Sequence, residues 1–431
     1  MLHYYCVIAA QSLWRNWGLT LLMVLTIGCG VAASMTTLSV YRAMSGNPMP
    51  EKAETLFFPQ IDVWGPQHGA SGEPQTALTY FDSAAFDKAG RAAKQSAIYA
   101  VSVAILPESP DGHPLNVGGY AVDSDFFPML DVPFMYGGRW TKDDDENANP
   151  VIVLSEKLNR QVFEGADSTG RPLVVDGKTF TVAGVIRKWD PRPRFFDISG
   201  SGAFSRLDND AFIPFSTSVD SGISNSGSMA CIPKPNSPTD GCVWISYMVE
   251  LGSPAAVNDY RNYLLDYARE QERSGRFSWG PNTRLRNLNE WLNYRRVVPT
   301  DTKASLALSI GLFVLCLVST ASLLLIAFLA RGSEVGILRA LGATRGAICC
   351  QFLTEAALVG VLGGILGLLL TNGALSMATL VLPRKIADLN LVDVPLLLAA
   401  TSIAILSTIL AGLYPALKAS GVQPAWQLKA N

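Results

Sequence analysis

Charge is scarce in this sequence. Asp, Glu, Lys and Arg make up 16% of its 431 residues, where soluble domains carry about 25%. Together with a 49% hydrophobic content, the deficit excludes a disordered chain and a nucleic-acid-binding one. The 34 basic and 36 acidic residues nearly cancel, so whole-chain charge identifies no partner. Histidine occurs 3 times, and His68 and His113 lack metal-ligand spacing to the cysteines. The sequence contains no Gly-x-x-x-x-Gly-Lys-Ser/Thr phosphate loop, no Gly-x-Ser-x-Gly elbow, no His-Glu-x-x-His and no paired-carboxylate signature. No catalytic residue, metal site or cofactor site is therefore visible. Asp143-Asp144-Asp145-Glu146 lacks the Gly and closing Glu of a calcium loop and reads as a solvated acidic turn.

What charge there is lies in one place. Residues 41–305 hold 32 of the 36 acidic and 26 of the 34 basic residues. Around them stand four apolar runs, 18–40, 305–330, 347–370 and 394–413, interrupted by a single charge, Glu355. A bilayer core takes roughly 20 apolar residues as a helix. The chain therefore reads as a membrane protein of four transmembrane α-helices, with a large α+β extracytoplasmic domain (41–304) inserted between the first and second. The first run is too long for the apolar part of a cleaved signal peptide and reads as an anchor. Thr26, where a lipoprotein signal needs Leu, argues against lipidation at Cys29.

Flanking bases set the orientation. Arg15 precedes the first span. Arg331, Arg339 and Arg345 face one acid, Glu334, between the second and third, and Lys418 and Lys429 follow the fourth. In the link 371–393, Arg384 and Lys385 are balanced by Asp388 and Asp393. Both termini, the 331–346 segment and the tail 414–431 are thus expected in the cytoplasm, with the inserted domain and the link outside. Within residues 1–17, Leu2, Tyr5, Ile8, Ala9, Leu13 and Trp17 recur at helical spacing, with Gln11, Ser12 and Arg15 elsewhere on the wheel. That pattern suits an interfacial amphipathic helix, or an extension of the first span.

In the inserted domain, residues 151–154, 173–175, 180–186 and 211–215 read as strands, with Asp176-Gly177 as a hairpin turn. Residues 155–164, with Ser155 as N-cap, and 260–273 read as helices. Two lobes are expected, one from 41–150 with returning C-terminal strands and one from 151–250. Residues 216–240 read as a long Ser/Gly/Pro-rich loop with Cys231 and Cys242 bracketing its end. The other cysteines (6, 29, 316, 349 and 350) lie in or beside the spans. An even pair in an oxidising compartment predicts a Cys231–Cys242 disulfide.

Residues 331–346 read as a short helix with a turn at Gly342. Ile337, Leu338 and Leu341 form an apolar edge beside Glu334 and Arg339, suited to a groove in a cytoplasmic partner. Gly360, Gly363, Gly364 and Gly367 put small residues on the third span, for close packing against the chain's own spans or across a dimer. Glu355 must face protein or water.

The run 334–345, EVGILRALGATR, closely resembles the signature between the second and third spans of MacB/FtsX-type ABC transporter permeases. Residues 151–186 are similar to the central part of the MacB-type periplasmic domain. Supporting likenesses occur at 12–32, 211–217, 351–367 and 414–430. The resemblance implies a non-catalytic permease of the inner membrane, dimeric with a second copy or a paralogue and working with a cytoplasmic ABC ATPase subunit. MacB carries a fused ATPase, whereas here ATP and Mg would be bound by the partner. Arg331, Glu334, Ile337, Leu338, Arg339, Leu341 and Arg345 would form the ATPase-coupling surface. Residues 40–44 and 291–303 would extend the first two spans as a stalk that carries the stroke outward. The implied function is export of peptides, antibiotics or similar amphiphiles, with a periplasmic adaptor and outer-membrane channel. The same topology serves FtsX-like activation of a cell-wall hydrolase and Lol-type lipoprotein release. Insertion 216–240 departs from the family pattern.

Overall fold

The computed structural model describes residues 2–66, 68, 72–107, 113–205, 207–232, 241–381 and 394–420. Most of the link 371–393, including its four charges, lies outside the described residues, as do 233–240, 421–431 and Lys429. The chain forms two units, Gly46–Val297 and one built from the segments on either side.

The strands of Gly46–Val297 are β1 (Leu56–Ile61), β2 (Lys94–Leu106), β3 (Leu115–Val122), β4 (Phe134–Gly137), β5 (Val151–Ser155), β6 (Pro172–Val175), β7 (Lys178–Ile186), β8 (Ala211–Pro214), β9 (Ala230–Cys231), β10 (Cys242–Val243), β11 (Ser246–Glu250) and β12 (Thr283–Asn287). Ten of them make one mixed sheet in the order β12-β1-β11-β2-β3-β8-β5-β7-β4, with β6 pairing β2 and β7. β1, β2 and β3 with the returning β11 and β12 form one half, and the strands from 134 to 214 form the other. The parallel β3–β8 pairing joins the halves.

Both faces of the sheet are covered, which is why the long β2 shows no clean alternation of polar and apolar residues. Its Ala97, Tyr99, Val101 and Val103 enter one core, with Phe86, Tyr260 and Leu264 from helices Tyr80–Ala89 and Pro254–Arg273. Its Ile98 and Ala100 enter the other, with Phe126, Phe195, Phe196 and Trp291. Asp176 and Gly177, at φ 47° and 78°, make the two-residue turn between β6 and β7; both positions need the left-handed region. Ser155 caps helix Glu156–Phe163 by accepting from the Leu158 N–H at 3.0 Å. The acidic turn is instead a short helix, Lys142–Glu146, whose Asp145 turns inward to accept from Trp140 Nε1 at 2.6 Å.

The anticipated stalk at 291–303 is not one helix. Leu288–Tyr294 ends before Arg296, at φ 46°, and its Trp291 is buried against Phe58. The next helix, Thr300–Leu329, starts after Pro299. Part of the anticipated 216–240 loop is ordered as well: helix Phe215–Asp220 and the β9–β10 ribbon, in which Cys231 and Cys242 face each other and are joined by a disulfide. In unreduced protein, neither thiol is expected to alkylate, and mass spectrometry finding both modified would remove the bridge. Replacing both with Ser should lower the stability of this unit by on the order of 3 kcal/mol, the chain-entropy value for a short loop.

Among the described residues, four helices are long and apolar enough to cross a membrane: Trp17–Ser45, Thr300–Leu329, Arg345–Met377 and Thr401–Ser420. The last two belong to helices Arg345–Val381 and Val394–Ser420. The protein is thus a multi-pass membrane protein with the large domain between its first and second spans. Met23, Ile27, Val31, Leu324, Phe328, Phe352, Ala356 and Val359 form the core of the bundle. Leu308, Leu369 and Leu410 stay outside it, as lipid-facing residues should.

Gly360, Gly363, Gly364 and Gly367 of the third span pack within the chain. A methyl group on Gly363 would lie 2.7 Å from Ile27 Cγ2, and one on Gly367 2.7 Å from Val31 Cβ, both on the first span. Gly360 and Gly364 face Thr408 and Thr401 of the fourth. Gly363→Leu is expected to destabilise the bundle by about 1–3 kcal/mol through overpacking. Gly373→Leu, with nothing within 4 Å of the new Cβ, should cost far less. Thermal unfolding of the purified variants checks the contrast.

Candidate coupling site around residues 331–346

The segment between the second and third spans folds as helix Gly332–Ala340. It ends at Gly342, whose φ of 96° reverses the chain. The Gly342 N–H donates to Arg339 O at 3.1 Å and the Ala343 N–H to Leu338 O at 3.0 Å. This is the usual way a left-handed glycine satisfies the last carbonyls of a helix. Thr344 then caps the third span, accepting from the Ala347 N–H at 3.2 Å. A short helix fixed at both ends transmits displacement better than a loop would.

One side of this helix is anchored and the other is free of the bundle. Val335 is buried in the core of the helix bundle with Leu13, Phe328, Ile348 and Phe352, and Phe328 stacks on Phe352 at 4.2 Å. Ile337 is 61% exposed, Leu338 39% and Leu341 81%. The apolar edge read from the sequence is therefore a real outward surface. Arg345 is exposed beside it and Arg339 half-buried.

Two predicted coupling residues are used differently. Arg331 does not point outward. Its Nη1 donates to Glu355 Oε1 at 2.8 Å, with side chains 10% and 1% exposed. The lone acid of the third span thus has its partner in the first residue of the coupling segment, as a charge among apolar helices requires. Glu334 is exposed, but it pairs with Arg15 at 2.5 Å.

The N-terminal helix Leu2–Arg15 is the part of the site that sequence reasoning missed. It packs against the third span and buries Ala9, Ser12 and Leu13. Ser12, expected on the polar side, turns toward Glu355. Trp14 and Trp17 face outward, suiting an aromatic belt at the membrane surface. The unmatched charge of Glu355 was the available signal. Arrangement and chemistry agree: no nucleophile or acid–base pair is assembled here, but an outward apolar ridge is tied to the second and third spans and to the N-terminal helix.

Residues 20–266 match the family described as MacB-like periplasmic core domain, and residues 306–424 that described as FtsX-like permease C-terminal. The uncharacterized ABC transporter permease YvrN of Bacillus subtilis (strain 168) is 25% identical over 98% of this chain and 98% of its own. The pyoverdine export ATP-binding/permease protein PvdT of Pseudomonas aeruginosa is 24% identical over 75% of this chain, which spans only 46% of that longer protein. Among solved structures, the periplasmic region of MacB from Actinobacillus actinomycetemcomitans covers 55% of this chain and 90% of its own, at 14% identity and a TM-score of 0.34.

Proposed function

The chain belongs to the family of ABC transporter permeases that join a MacB-like periplasmic core domain to an FtsX-like permease domain, and from that membership we propose that it is the permease subunit of a MacB-type exporter. In this reading the chain performs no catalysis. A separate cytoplasmic ATPase subunit binds ATP and Mg, and its movement is delivered to the ridge Ile337–Leu338–Leu341. The permease sits in the inner membrane as a dimer, with both termini and the ridge in the cytoplasm and Gly46–Val297 outside. That domain changes conformation with each stroke and drives peptides, antibiotics or similar amphiphiles toward an adaptor and outer-membrane channel.

The observation that carries the reading is the exposure of three large apolar residues on a helix whose opposite side is locked by Val335 and the Arg331–Glu355 pair. A cytoplasmic helix gains nothing from an unpaired apolar ridge unless a partner covers it. Capture of the intact chain from its own membranes, in mild detergent, should bring down an ABC ATPase in fixed stoichiometry, with ATP-dependent export on reconstitution. A pure chain that recovers no ATPase would overturn the proposal. Recovery of the ATPase with a cell-wall hydrolase, and no transport, would reassign the stroke to signalling.

A further inference from the structure

Few large apolar side chains are exposed among the described residues of Gly46–Val297: Tyr80, Phe81, Leu106, Met135 and Met229. Three of these, Tyr80, Phe81 and Met229, line one cavity of about 930 Å³. Scattered exposed apolar residues need no explanation, but converging ones do. The volume falls within the range that encloses a drug-sized molecule.

The walls are held in place. Tyr80 and Phe81 begin helix Tyr80–Ala89, capped by Thr79, which accepts from the Asp82 N–H at 3.1 Å. Asp82 is buried and takes Arg276 Nη2 at 2.8 Å and Tyr267 Oη at 2.8 Å. The Arg276 guanidinium lies 4.4 Å over the Phe81 ring, and Tyr80 stacks on Phe215. Opposite, Trp244 meets Tyr99 edge-on at 4.8 Å. Cys242, tied by its disulfide to Cys231, fixes the strand beside Met229. Such a cavity needs little ordering on binding.

Its polarity is one-sided. Lys88 lines the cavity, is exposed, and forms no ion pair with any described residue. Two acids near the aromatic wall are engaged elsewhere, Asp82 by Arg276 and Asp87 by the Gln95 side chain at 3.0 Å. We propose that this cavity binds a small amphiphile with a flat apolar body between Phe81, Met229 and Trp244 and one anionic group at Lys88. That the bound molecule is the exported one rests on the export reading above; the binding itself does not.

The test uses the full chain in lipid nanodiscs and two probes, anilinonaphthalene sulfonate and the uncharged phenylnaphthylamine, each titrated against empty discs. Wild type should bind both saturably above the lipid background. Phe81→Ala with Met229→Ala should weaken both probes by about tenfold, the cost of lost apolar contact. Lys88→Gln should weaken only the sulfonate, by about threefold, the worth of one solvent-accessible charge pair. Each variant must keep its Cys231–Cys242 bridge closed to alkylation. Binding no greater than that of empty discs, or a double variant that titrates like wild type, overturns the site. An unchanged sulfonate affinity in Lys88→Gln overturns the anionic class. Saturable probe binding by a chain that captures no ATPase from its own membranes would leave the cavity standing and remove the export reading, so the two failures are distinct.

Discussion

Glu355→Ala is expected to cost the membrane-spanning unit on the order of 3–5 kcal/mol, the range for breaking a buried ion pair by removing one partner. Glu355 is almost completely buried, and Arg331 nearly so. Alanine at 355 leaves the nearly buried guanidinium of Arg331 without its carboxylate partner. Arg331 Nε already lacks a partner among the described residues, which raises that cost. The loss should fall on the anchor of the coupling helix first, because Arg331 is the residue from which helix Gly332–Ala340 starts. Replacing both partners, Arg331→Leu with Glu355→Met, removes two desolvated charges together and should recover most of the stability. Thermal unfolding of the two single variants and the double variant in one detergent forms a double-mutant cycle. A double variant as unstable as Glu355→Ala would show that the pair is not the source of the loss.

The same pair shows where sequence reading stops. The four spans were legible because long runs without charge have few other solutions. The single acid inside them, Glu355, has to face protein or water. Which base it would take was not legible: Arg331 flanks a span and therefore looks like a cytoplasmic charge, and only the packing of two helices turns it inward. Helical spacing puts Ser12 off the apolar stripe with Gln11 and Arg15, yet only Ser12 of the three is buried, beside Ala9 and Leu13 at the edge of that stripe.

In the inserted domain the local signals held where they were strong, at Ser155 and at Asp176-Gly177. They were passed over at Ser253-Pro254, an N-cap followed by proline that starts helix Pro254–Arg273 ahead of the predicted 260. β2 escaped because burial on both faces erases the period-two pattern that marks a strand. The extension expected at 291–303 is interrupted between Arg295 and Pro299, where Arg296 takes a φ of 46° and the proline disfavours a helical residue before it.

Leu338→Asp is expected to separate the permease from its ATPase. In the proposed complex Leu338 fills an apolar groove, and truncating a central apolar anchor of an interface costs about 2–4 kcal/mol, or roughly 30- to 1,000-fold in affinity. Aspartate adds the desolvation of a charge to that loss. The fold should tolerate the change, because Leu338 stands on the exposed side of its helix while Val335 does the anchoring. Two controls bracket the result. Glu334→Gln breaks only the solvent-exposed pair with Arg15, worth about 0–1 kcal/mol, and should leave coupling nearly intact. Val335→Asp puts a charge into the bundle core and should fail by unfolding, so it must lower thermal stability where Leu338→Asp does not. The measurements are ATPase recovered on the captured permease and ATP-driven transport by the reconstituted pair. A stable Leu338→Asp protein that retains its ATPase and full transport would place the transmission surface elsewhere. Loss of transport with the ATPase still bound would keep the surface and assign Leu338 to delivering the stroke rather than to holding the partner.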